Sequence, residues 1–541
     1  MTDLKKGQPD IDLDVLIVGA GFSGLYMLHR ARSQGLTVQV LEAASDVGGT
    51  WWWNRYPGAR CDVESMQYSY SWDEDLQQEW DWSERFATQT EILAYLNHVA
   101  DRHDMRRDIR FETRVKGASY NETGRFWTIE EESGARTTAR CLILATGCLS
   151  AARIPDLPGR DEFKGEVYHT GDWPHEGVDF SGKRVAVIGT GSSGIQAIPE
   201  IAKQAAHLTV FQRTPNFSLP ARNQPLDRQY VQGWKNNYPK LRKQAREETG
   251  SGTIYDFPTV SAMDIAEEDR EAMYRWRWEK GGPNFMHSFN DLVTNEEANK
   301  TAADFVRDRI RAMVKNPATA DLLCPTEYPI FTKRICVDSH YYETFNRANV
   351  KLVSLKKYPL EQIEASGIRT TAGLTEVDAI VYATGFDAIT GAITSIDIRG
   401  RNGATIPDKW KEGPRAYLGL SCHGFPNLFT ITGPGSPSVL SNMVVSIEQH
   451  VDFISDLLLA MQKDGIDEVE PEKEAEDDWV AHVNEVASGT LLPKAASWYM
   501  GANIPGKPRV FMPYIGVAAY RKKCEEIARN GYRGFTFRVS S

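Results

Sequence analysis

Short apolar runs separated by longer mixed segments set the predicted architecture of the chain. Residues 14–18 and 183–188 are rich in β-branched side chains, and each run leads into a glycine-rich turn. Residues 142–147 and 379–385 are two further apolar runs that end in the sequence Ala-Thr-Gly. Continuous apolar runs of this length are typical of strands that are buried on both faces of a parallel sheet. The pattern therefore predicts an α/β fold.

The first glycine-rich turn has the spacing of a dinucleotide site. Residues 19–24 read G-A-G-F-S-G, and a predicted helix over 25–34 and a predicted strand over 37–41 follow; Glu42 ends this strand, 18 residues after Gly24. The three glycines of such a turn allow a tight bend, a close approach to a pyrophosphate, and helix-to-strand packing. The helix N-terminus offers unpaired N–H groups to phosphate, and Glu42 can accept hydrogen bonds from ribose hydroxyls. An isolated glycine cluster arises easily by chance, but the surrounding elements favour a nucleotide site.

The second glycine-rich turn differs from the first in one residue that selects the nucleotide. Residues 189–194 read G-T-G-S-S-G, and a predicted helix to about residue 206 and a predicted strand over 208–211 follow. Arg213 stands 19 residues after Gly194, where the first site has an acid. A guanidinium binds a 2′-phosphate through charge-assisted hydrogen bonds, whereas a carboxylate repels it. The second site therefore suits NADPH, with a solvated surface arginine as the alternative for Arg213, and the first suits an unphosphorylated adenosine ribose. Two such sites in one chain suggest a flavin that is reduced by a nicotinamide.

Composition and charge exclude several classes of function. The formal net charge of the 541 residues is −11, which argues against a nucleic-acid partner. No apolar run approaches about 18 residues and residues 1–14 are polar, so neither a membrane span nor a secretion signal is expected. The seven cysteines lie far apart without a C-x-x-C pair. That spacing indicates a reducing, cytoplasmic setting and argues against a zinc ribbon or a dithiol centre; no metal site is expected.

Two longer motifs carry a family resemblance. Residues 48–62 read GGTWWWNRYPGARCD, and residues 163–174 read FKGEVYHTGDWP. They resemble the two fingerprints of type I Baeyer–Villiger monooxygenases, [AG]GxWxxxx[FY]P[GM]xxxD and FxGxxxHxxxW[PD], at every specified position. The similarity runs from residue 11 to the C-terminus and is greatest to the phenylacetone monooxygenase branch. The chain departs from that branch at Cys148 and at Val439, in the loop 433–443.

The resemblance implies that NADPH reduces FAD, that the reduced flavin and O₂ form a C4a-peroxide, and that its anion attacks a ketone. The tetrahedral adduct then rearranges to an ester or lactone, and sulfides are expected as further substrates. A permanently charged donor suits these oxyanions, because arginine keeps its proton at working pH. The resemblance assigns this role to Arg334 and makes Asp62 its partner. The residues alone leave a solvated basic patch and a turn acid as alternatives.

The resemblance also places side chains around the cofactors and the ketone. Lys333 is expected beside Arg213 and Thr214 at the 2′-phosphate, and Trp498 near the nicotinamide or the substrate. The expected substrate pocket comprises Cys148, Leu149, Val439 and Leu440. The expected cofactor contacts are Gly19, Gly21, Ser23, Gly24, Glu42, Thr50, Trp51, Asp62, Tyr68, Met443, Gly189, Thr190, Gly191, Ser192, Ser193, Gly194, Gln196, Arg213, Thr214, Lys333, Arg334 and Trp498.

The order of the motifs predicts two interrupted domains. Residues 1–148 and 386–541 are expected to bind FAD, and residues 149–221 and 332–385 to bind NADP, with a helical insertion over 222–331. Residues 485–508 mix glycine, proline and small side chains and predict a mobile loop over the site. His169 and Trp173 lie in a segment expected to join the domains, which favours a structural or hinge role over acid–base catalysis.

Three other functions share some of these sequence features. A flavin-containing N- or S-oxygenating monooxygenase shares the cofactors, but its fingerprint resembles FxGxxxHxxxY, unlike Trp173-Pro174 here. A disulfide reductase needs the missing C-x-x-C pair. A nucleotide-binding regulator without turnover is the third. The expected protein is a monomer that acts on a small-molecule ketone and O₂ and has no obligatory protein partner.

Overall fold

The structure, a computed structural model, describes residues 11–539; residues 1–10, which belong to the polar N-terminal segment, and residues 540–541 lie outside it. The strands of the described range, in chain order, are β1 (Leu13–Val18), β2 (Val38–Leu41), β3 (Ile109–Arg110), β4 (Val115–Asn121), β5 (Phe126–Glu131), β6 (Arg136–Leu144), β7 (Glu166–His169), β8 (Arg184–Ile188), β9 (His207–Gln212), β10 (Ser218–Pro220), β11 (Cys336–Asp338), β12 (Val350–Ser354), β13 (Leu360–Glu364), β14 (Gly367–Thr370), β15 (Gly373–Glu376), β16 (Ala379–Tyr382), β17 (Asp397–Arg399), β18 (Leu428–Thr430), β19 (Ile466–Pro471) and β20 (Phe535–Val539).

The helices cover the sheets and form a separate group between β10 and β11. In chain order they are α1 (Phe22–Ser33), α2 (Thr50–Trp53), α3 (Glu74–Glu79), α4 (Gln89–Arg102), α5 (Ser192–Gln204), α6 (Arg228–Glu247), α7 (Glu267–Lys280), α8 (Glu296–Met313), α9 (Pro317–Leu323), α10 (Tyr341–Thr344), α11 (Gly391–Thr394), α12 (Ile406–Lys409), α13 (Met443–Asp464), α14 (Lys473–Ser488) and α15 (Val517–Arg529).

The first sheet has eight strands in the order β17-β4-β5-β6-β1-β2-β3, with β18 also paired to β6. Strand β1 runs parallel to both β2 and β6. Val15 and Ile17 face one hydrophobic cluster, and Leu16 and Val18 face another on the opposite side. Because successive side chains of a strand alternate between faces, burial on both sides requires the unbroken apolar run seen in the sequence.

The second sheet has five parallel strands in the order β12-β9-β8-β16-β7. Val185 and Val187 of β8 face one cluster, and Ala186 and Ile188 face another. Strands β1 and β8 each lead through a glycine-rich turn into a helix, α1 and α5 respectively. The predicted fold, α/β with two Rossmann-like dinucleotide-binding units, is confirmed.

The part of the helical insertion that contains α7, α8 and α9 shares its core with the second sheet, whereas Tyr238 of α6 belongs to the core of the first. Helix α8 buries Ala298, Ala302, Val306 and Ile310, a stripe with a spacing of four residues, in the same cluster that contains Val185. Side-chain caps begin three of these helices: Asp227 at α6, Asn295 at α8 and Asn316 at α9. The amphipathic stripe and the caps explain why this part of the predicted insertion is helical.

Three local predictions need correction. Helix α5 ends at Gln204 rather than near residue 206, because Ala205 adopts an extended backbone. Residues 485–488 are the last turn of α14, so the irregular segment begins at residue 489. Residues 166–169, expected in a segment joining the domains, form strand β7 at the edge of the second sheet, hydrogen-bonded to β16.

Several features that bear on function are absent from the described part of the chain. No helix within residues 11–539 has the length and apolar character needed to cross a membrane. All seven cysteines are buried and lack disulfide partners in that range. Among the same residues, no three or more His, Cys, Asp or Glu side chains converge as they would around a metal ion.

Candidate active site

The guanidinium of Arg334 and the carboxylate of Asp62 form a bidentate pair. Arg334 lies two residues before β11, and Asp62 lies in the loop after α2, the helix of the first fingerprint. Nε donates to Oδ2 at 3.1 Å, and Nη2 donates to Oδ1 at 2.5 Å. Two parallel hydrogen bonds fix the plane of the guanidinium as well as its position. The structure thus brings together the two residues predicted to carry catalysis.

A third hydrogen bond attaches Arg334 to the predicted pocket. Its Nη1 donates to the backbone oxygen of Val439 at 3.0 Å. The Arg334 and Asp62 side chains are 29% and 20% exposed, so the pair remains accessible. A guanidinium has five N–H groups, and these contacts use three of them. One remaining N–H group also faces the hydroxyl of Tyr499, and the rest is available to an anionic or carbonyl oxygen.

The electrostatics of the pair favour a permanent cation. The charge of Asp62 raises the pKa of Arg334 above its usual range, and this attraction outweighs the opposing effect of burial. Tyr499 lies beside the guanidinium: burial raises the pKa of Tyr499 to about 12, and the charge of Arg334 acts against that rise. Its ring packs on Trp498 with 4.4 Å between centroids. Sequence reasoning missed Tyr499, and its only signal was its position directly after Trp498.

The first glycine-rich turn has room for a pyrophosphate and little room for side chains. Gly19 has a φ of +106°, and a Cβ there would lie 2.6 Å from the backbone oxygen of Ala145. A Cβ at Gly24 would overlap the backbone oxygen of Gly19. Helix α1 begins after Gly21 without a side-chain cap, so its first N–H groups are open to an anion. This cradle fits the pyrophosphate of FAD, with Ser23 in the first turn of the helix.

Glu42, the predicted ribose contact, directly follows β2 and is hydrogen-bonded to the first glycine-rich turn. Its carboxylate is buried and accepts hydrogen bonds from the backbone N–H groups of Ala20 at 2.6 Å and Ala44 at 2.8 Å. Burial raises the pKa of Glu42, and these two N–H groups oppose the rise. Beside it a cleft of about 680 Å³ opens at the carboxyl ends of β2 and β3, bordered by residues 43–45. An open cleft at this edge of a parallel sheet is where nucleotides bind.

Among the predicted flavin contacts, Trp51 and Tyr68 touch each other. The indole N–H of Trp51 donates to the hydroxyl of Tyr68 at 3.3 Å. Thr50 begins α2, and Met443 begins α13, which Asn442 caps. Sequence reasoning missed Gln89 in helix α4, whose amide donates to the backbone oxygen of Trp51 at 2.5 Å and so fixes the backbone that carries the indole.

The second glycine-rich turn is also open to an anion. Helix α5 begins after Gly191 without a side-chain cap, and a Cβ at Gly191 would meet nothing within 4 Å. The hydroxyl of Thr190 donates to the backbone oxygen of Thr214 at 3.2 Å, which ties the turn to the end of β9. The side-chain oxygen of Ser192 lies 3.2 Å from the sulfur of Cys336. The turn Gly189–Gly194 therefore offers a second pyrophosphate cradle.

Gln196, predicted as a cofactor contact, is occupied elsewhere in the structure. Its Oε1 accepts a hydrogen bond from the hydroxyl of Tyr56 at 2.8 Å, and its Nε2 donates to the backbone oxygen of Arg60 at 3.1 Å. Ser193 also hydrogen-bonds to Tyr56. Helix α5 of the second unit is thereby attached to the first fingerprint, in the same loop that carries Asp62.

A cluster of cations marks the predicted 2′-phosphate position. Burial lowers the pKa of Lys333, and the nearby charges of Arg213 and Lys356 lower it further. The Lys333 ammonium also lies 4.3 Å from the ring centroid of Tyr328. Arg213 is exposed and has no carboxylate partner within the described residues. Glu327, which pairs with Lys356, offsets part of the repulsion among these cations, and a bound anion would relieve more of it. Lys356 was missed because it follows β12, and only the sheet order places β12 beside β9.

The predicted pocket residues share one hydrophobic cluster. Cys148 and Val439 are buried members of it, and Leu149, Leu440 and Trp498 pack against it. Burial raises the pKa of Cys148 to about 11, so its thiol is protonated at neutral pH. Two of the four also lie near Arg334: Val439 accepts a hydrogen bond from it, and the thiol of Cys148 lies within reach of its charge.

His169 and Trp173 have structural surroundings. His169 Nδ1 accepts from the backbone N–H of Gly171 at 2.9 Å, while Nε2 lies 3.2 Å from the backbone oxygen of Arg153. Trp173 is buried against Tyr168 and Phe180. These contacts agree with the structural role rather than acid–base chemistry.

Two dinucleotide cradles and a paired arginine define a flavin-dependent monooxygenase of the two-domain class, and residues 13–224 match the family described as flavin-binding monooxygenase-like. A Baeyer–Villiger monooxygenase of Pseudooceanicola batsensis is 43% identical over 530 residues, covering 96% of this chain and 95% of that protein. Phenazine N-monooxygenase PhzNO1 of Lysobacter antibioticus is 42% identical over 527 residues, with 96% of each chain covered.

A solved structure, described as oxidized steroid monooxygenase bound to NADP, superimposes with a TM-score of 0.93 at 51% identity, over 98% of this chain and 100% of that one. The closed crystal structure of cyclohexanone monooxygenase gives a TM-score of 0.95 at 41% identity, over 98% and 99% of the two chains. The chain belongs to the Baeyer–Villiger monooxygenase family.

Proposed function

We propose that the protein is an FAD-containing, NADPH-dependent monooxygenase that inserts one oxygen atom of O₂ beside a ketone carbonyl and so forms an ester or lactone. The observation that carries this proposal is the bidentate Arg334–Asp62 pair, because it holds a permanent cation where the two dinucleotide units meet. Bound FAD, reduced by NADPH, supplies the chemistry that activates O₂. The protein must position the reactants and stabilise negative charge.

Arg334 performs the electrostatic part of this task. Its charge persists at every working pH, and its unused N–H groups can donate to oxygen atoms that become negative during the reaction. Asp62 keeps the guanidinium in one plane and tempers its charge, so that the same group can serve each stage of turnover. The backbone oxygen of Val439 prevents Arg334 from swinging towards solvent.

The nucleotide contacts follow from the two cradles. The first turn and Glu42 would hold the pyrophosphate and ribose of FAD, with Thr50, Trp51, Tyr68 and Met443 towards the flavin. The turn 189–194 would hold the NADPH pyrophosphate, and Arg213, Thr214, Lys333 and Lys356 would hold its 2′-phosphate. Repulsion among these cations supports this assignment. Trp498, which packs with Tyr499 beside Arg334, would border the nicotinamide or the ketone.

The ketone would bind against Cys148, Leu149, Val439 and Leu440. These side chains offer an apolar surface without a charged group, which suits an uncharged small molecule. A sulfide would fit the same surface, which supports sulfoxidation as a side activity. Electrophilic N-oxygenation is the second candidate function, since one relative is named as a phenazine N-monooxygenase.

The domain division proposed from the sequence is supported by strand membership. Strands of the first sheet come from residues 13–144 and 397–430, and those of the second come from residues 166–212 and 350–382. This agrees with an FAD domain over 1–148 and 386–541, an NADP domain over 149–221 and 332–385, and an insertion over 222–331. We further propose a cytoplasmic monomer without an obligatory protein partner.

Product analysis tests the proposed reaction. Purified protein with FAD, NADPH and O₂ is given a panel of aryl, cyclic and linear ketones, together with a sulfide and an aromatic N-heterocycle. The proposal expects ester or lactone, with one NADPH consumed per product. Oxidation of only the sulfide or heterocycle would favour the second candidate, and NADPH consumption that no substrate stimulates would contradict both.

A further inference from the structure

Two segments that connect the nucleotide units pair with each other. The first linker (residues 148–153) follows β6, and the second linker (residues 385–389) follows β16. Arg153 donates its N–H to the oxygen of Gly385 at 3.0 Å, Asp387 donates to Ala151 at 2.9 Å, and Ile389 donates to Cys148 at 2.7 Å. The linkers therefore form a short antiparallel ladder and must move together.

The loop 489–516, which carries Trp498 and Tyr499, contacts both linkers through Asn503. The guanidinium of Arg153, in the first linker, donates to the backbone oxygen of Asn503 at 2.5 Å. The side-chain amide of Asn503 donates to the backbone oxygen of Phe386, in the second linker, at 2.8 Å. One residue of the loop thus bridges both strands of the ladder.

Lys507 forms the second attachment. Its ammonium donates to Asp387 Oδ1 at 2.5 Å and to the backbone oxygen of Ala388 at 3.2 Å. The Lys507 side chain is only 13% exposed, so this ion pair is weakly screened by solvent. Its stem packs over Gly501, where a Cβ would lie 2.9 Å from the Lys507 Cδ. Gly501 directly follows the turn Trp498–Met500. Contacts therefore lead from Arg334 through this turn and Lys507 to the linkers.

We propose that Lys507 and Asn503 are positioning residues that lock the loop 489–516 onto the paired linkers. The position of Trp498 and Tyr499 beside Arg334 is therefore coupled to the position of the linkers, and neither changes without the other. The segment 501–507 reads GANIPGK, and the lock assigns a role to its asparagine and its lysine. Only the consequence for turnover rests on the proposed function, because the contacts do not depend on it.

The other end of the same loop provides a matched control. Lys494 forms an ion pair with Glu296 of helix α8, and the two side chains are 49% and 65% exposed. Leu491 donates its N–H to the oxygen of Val293 at 2.8 Å. These contacts join the loop to the insertion and lie away from the linkers. Exposed pairs of this kind contribute little to stability.

Hydrogen–deuterium exchange of the FAD-bound full chain tests the lock without relying on turnover. Lys507→Met is compared with Lys494→Met, and Asp387→Asn is a second variant in case Lys507→Met does not fold. We expect the linker amides of Arg153, Asp387 and Ile389 to exchange at least about five-fold faster in Lys507→Met, together with those of 497–507. In Lys494→Met the linker amides should stay within about two-fold of the original protein.

Turnover provides the second readout. In Lys507→Met the yield of ester per NADPH consumed should fall several-fold with hydrogen peroxide formed instead, while Lys494→Met keeps the original yield. Faster exchange confined to the loop, with unchanged linker amides, would overturn the proposal. If the linker amides respond as expected and no variant nor the original chain makes ester, the lock stands and the proposed reaction fails.

Discussion

Arg334 and Asp62 stand 272 positions apart in the sequence, yet two hydrogen bonds of 3.1 and 2.5 Å join the guanidinium to the carboxylate. The loop that carries Asp62 is also attached to helix α5 of the second nucleotide unit through Tyr56 and Gln196. The orientation of the cation therefore depends on how the two units meet. A movement of either unit can therefore shift the guanidinium of Arg334 relative to the reacting oxygen.

Replacement of Asp62 by asparagine tests the orienting role. Asparagine keeps the size of the side chain, but its amide nitrogen is a donor and cannot accept from the guanidinium. We expect the rate of ester formation to fall by about 10- to 100-fold, as is typical when a catalytic group is misplaced. The measurement is ester formed under saturating NADPH. An unchanged rate in a variant that retains FAD would show that Arg334 is held adequately by Val439 alone.

Replacement of Arg213 by alanine tests the cation cluster. Loss of a charged hydrogen bond to the 2′-phosphate, about 1.5–3 kcal/mol, should raise the KM for NADPH by about 10- to 100-fold. The KM for NADH should change little, because NADH lacks that phosphate. Lys356→Ala should also raise the KM for NADPH more than that for NADH, but by a smaller factor, because the ammonium of Lys356 already pairs with Glu327. Equal losses for the two nucleotides would contradict the 2′-phosphate assignment.

Replacement of Glu42 by glutamine tests the first nucleotide site. A glutamine cannot accept from both Ala20 and Ala44, so one buried N–H loses its partner at a cost of about 1–3 kcal/mol. The purified protein should be yellow with bound FAD, and Glu42→Gln should bind FAD about ten-fold more weakly. Flavin absorbance per protein measures this. The exposed Glu74→Gln makes the same charge change and should keep its FAD.

The buried carboxyl group of Asp338 should make the free energy of unfolding depend on pH. Burial raises its pKa from 3.8 to about 6. Between these values the folded chain holds a proton that the unfolded chain has released, so the free energy of unfolding decreases as the pH rises through this window. In Asp338→Asn this contribution is absent. Urea unfolding should therefore show that the original protein loses stability relative to the variant from about pH 4 to about pH 6. A constant difference would contradict the pKa shift.

The parts of the site that could be predicted from residues alone are local. The glycine turns, Glu42 and Arg213 follow one another within a single strand–helix–strand unit, so their spacing reports their geometry. The Arg334–Asp62 pair needed the family resemblance, because no local pattern joins residues so distant in the chain. Tyr499, Gln89 and Lys356 were missed since only packing brings them to the site. Strand β7 was missed because it is short and largely exposed, without the apolar run of a central strand.

The most direct test of the account is a single-turnover measurement on Arg334→Ala. The FAD-bound variant is first mixed with NADPH without oxygen, and then with O₂ and a ketone that the original protein converts. Because the guanidinium is assigned to charge stabilisation during oxygen transfer, flavin reduction should persist while ester formation is abolished. Ester formed at the original yield would contradict the central role of Arg334.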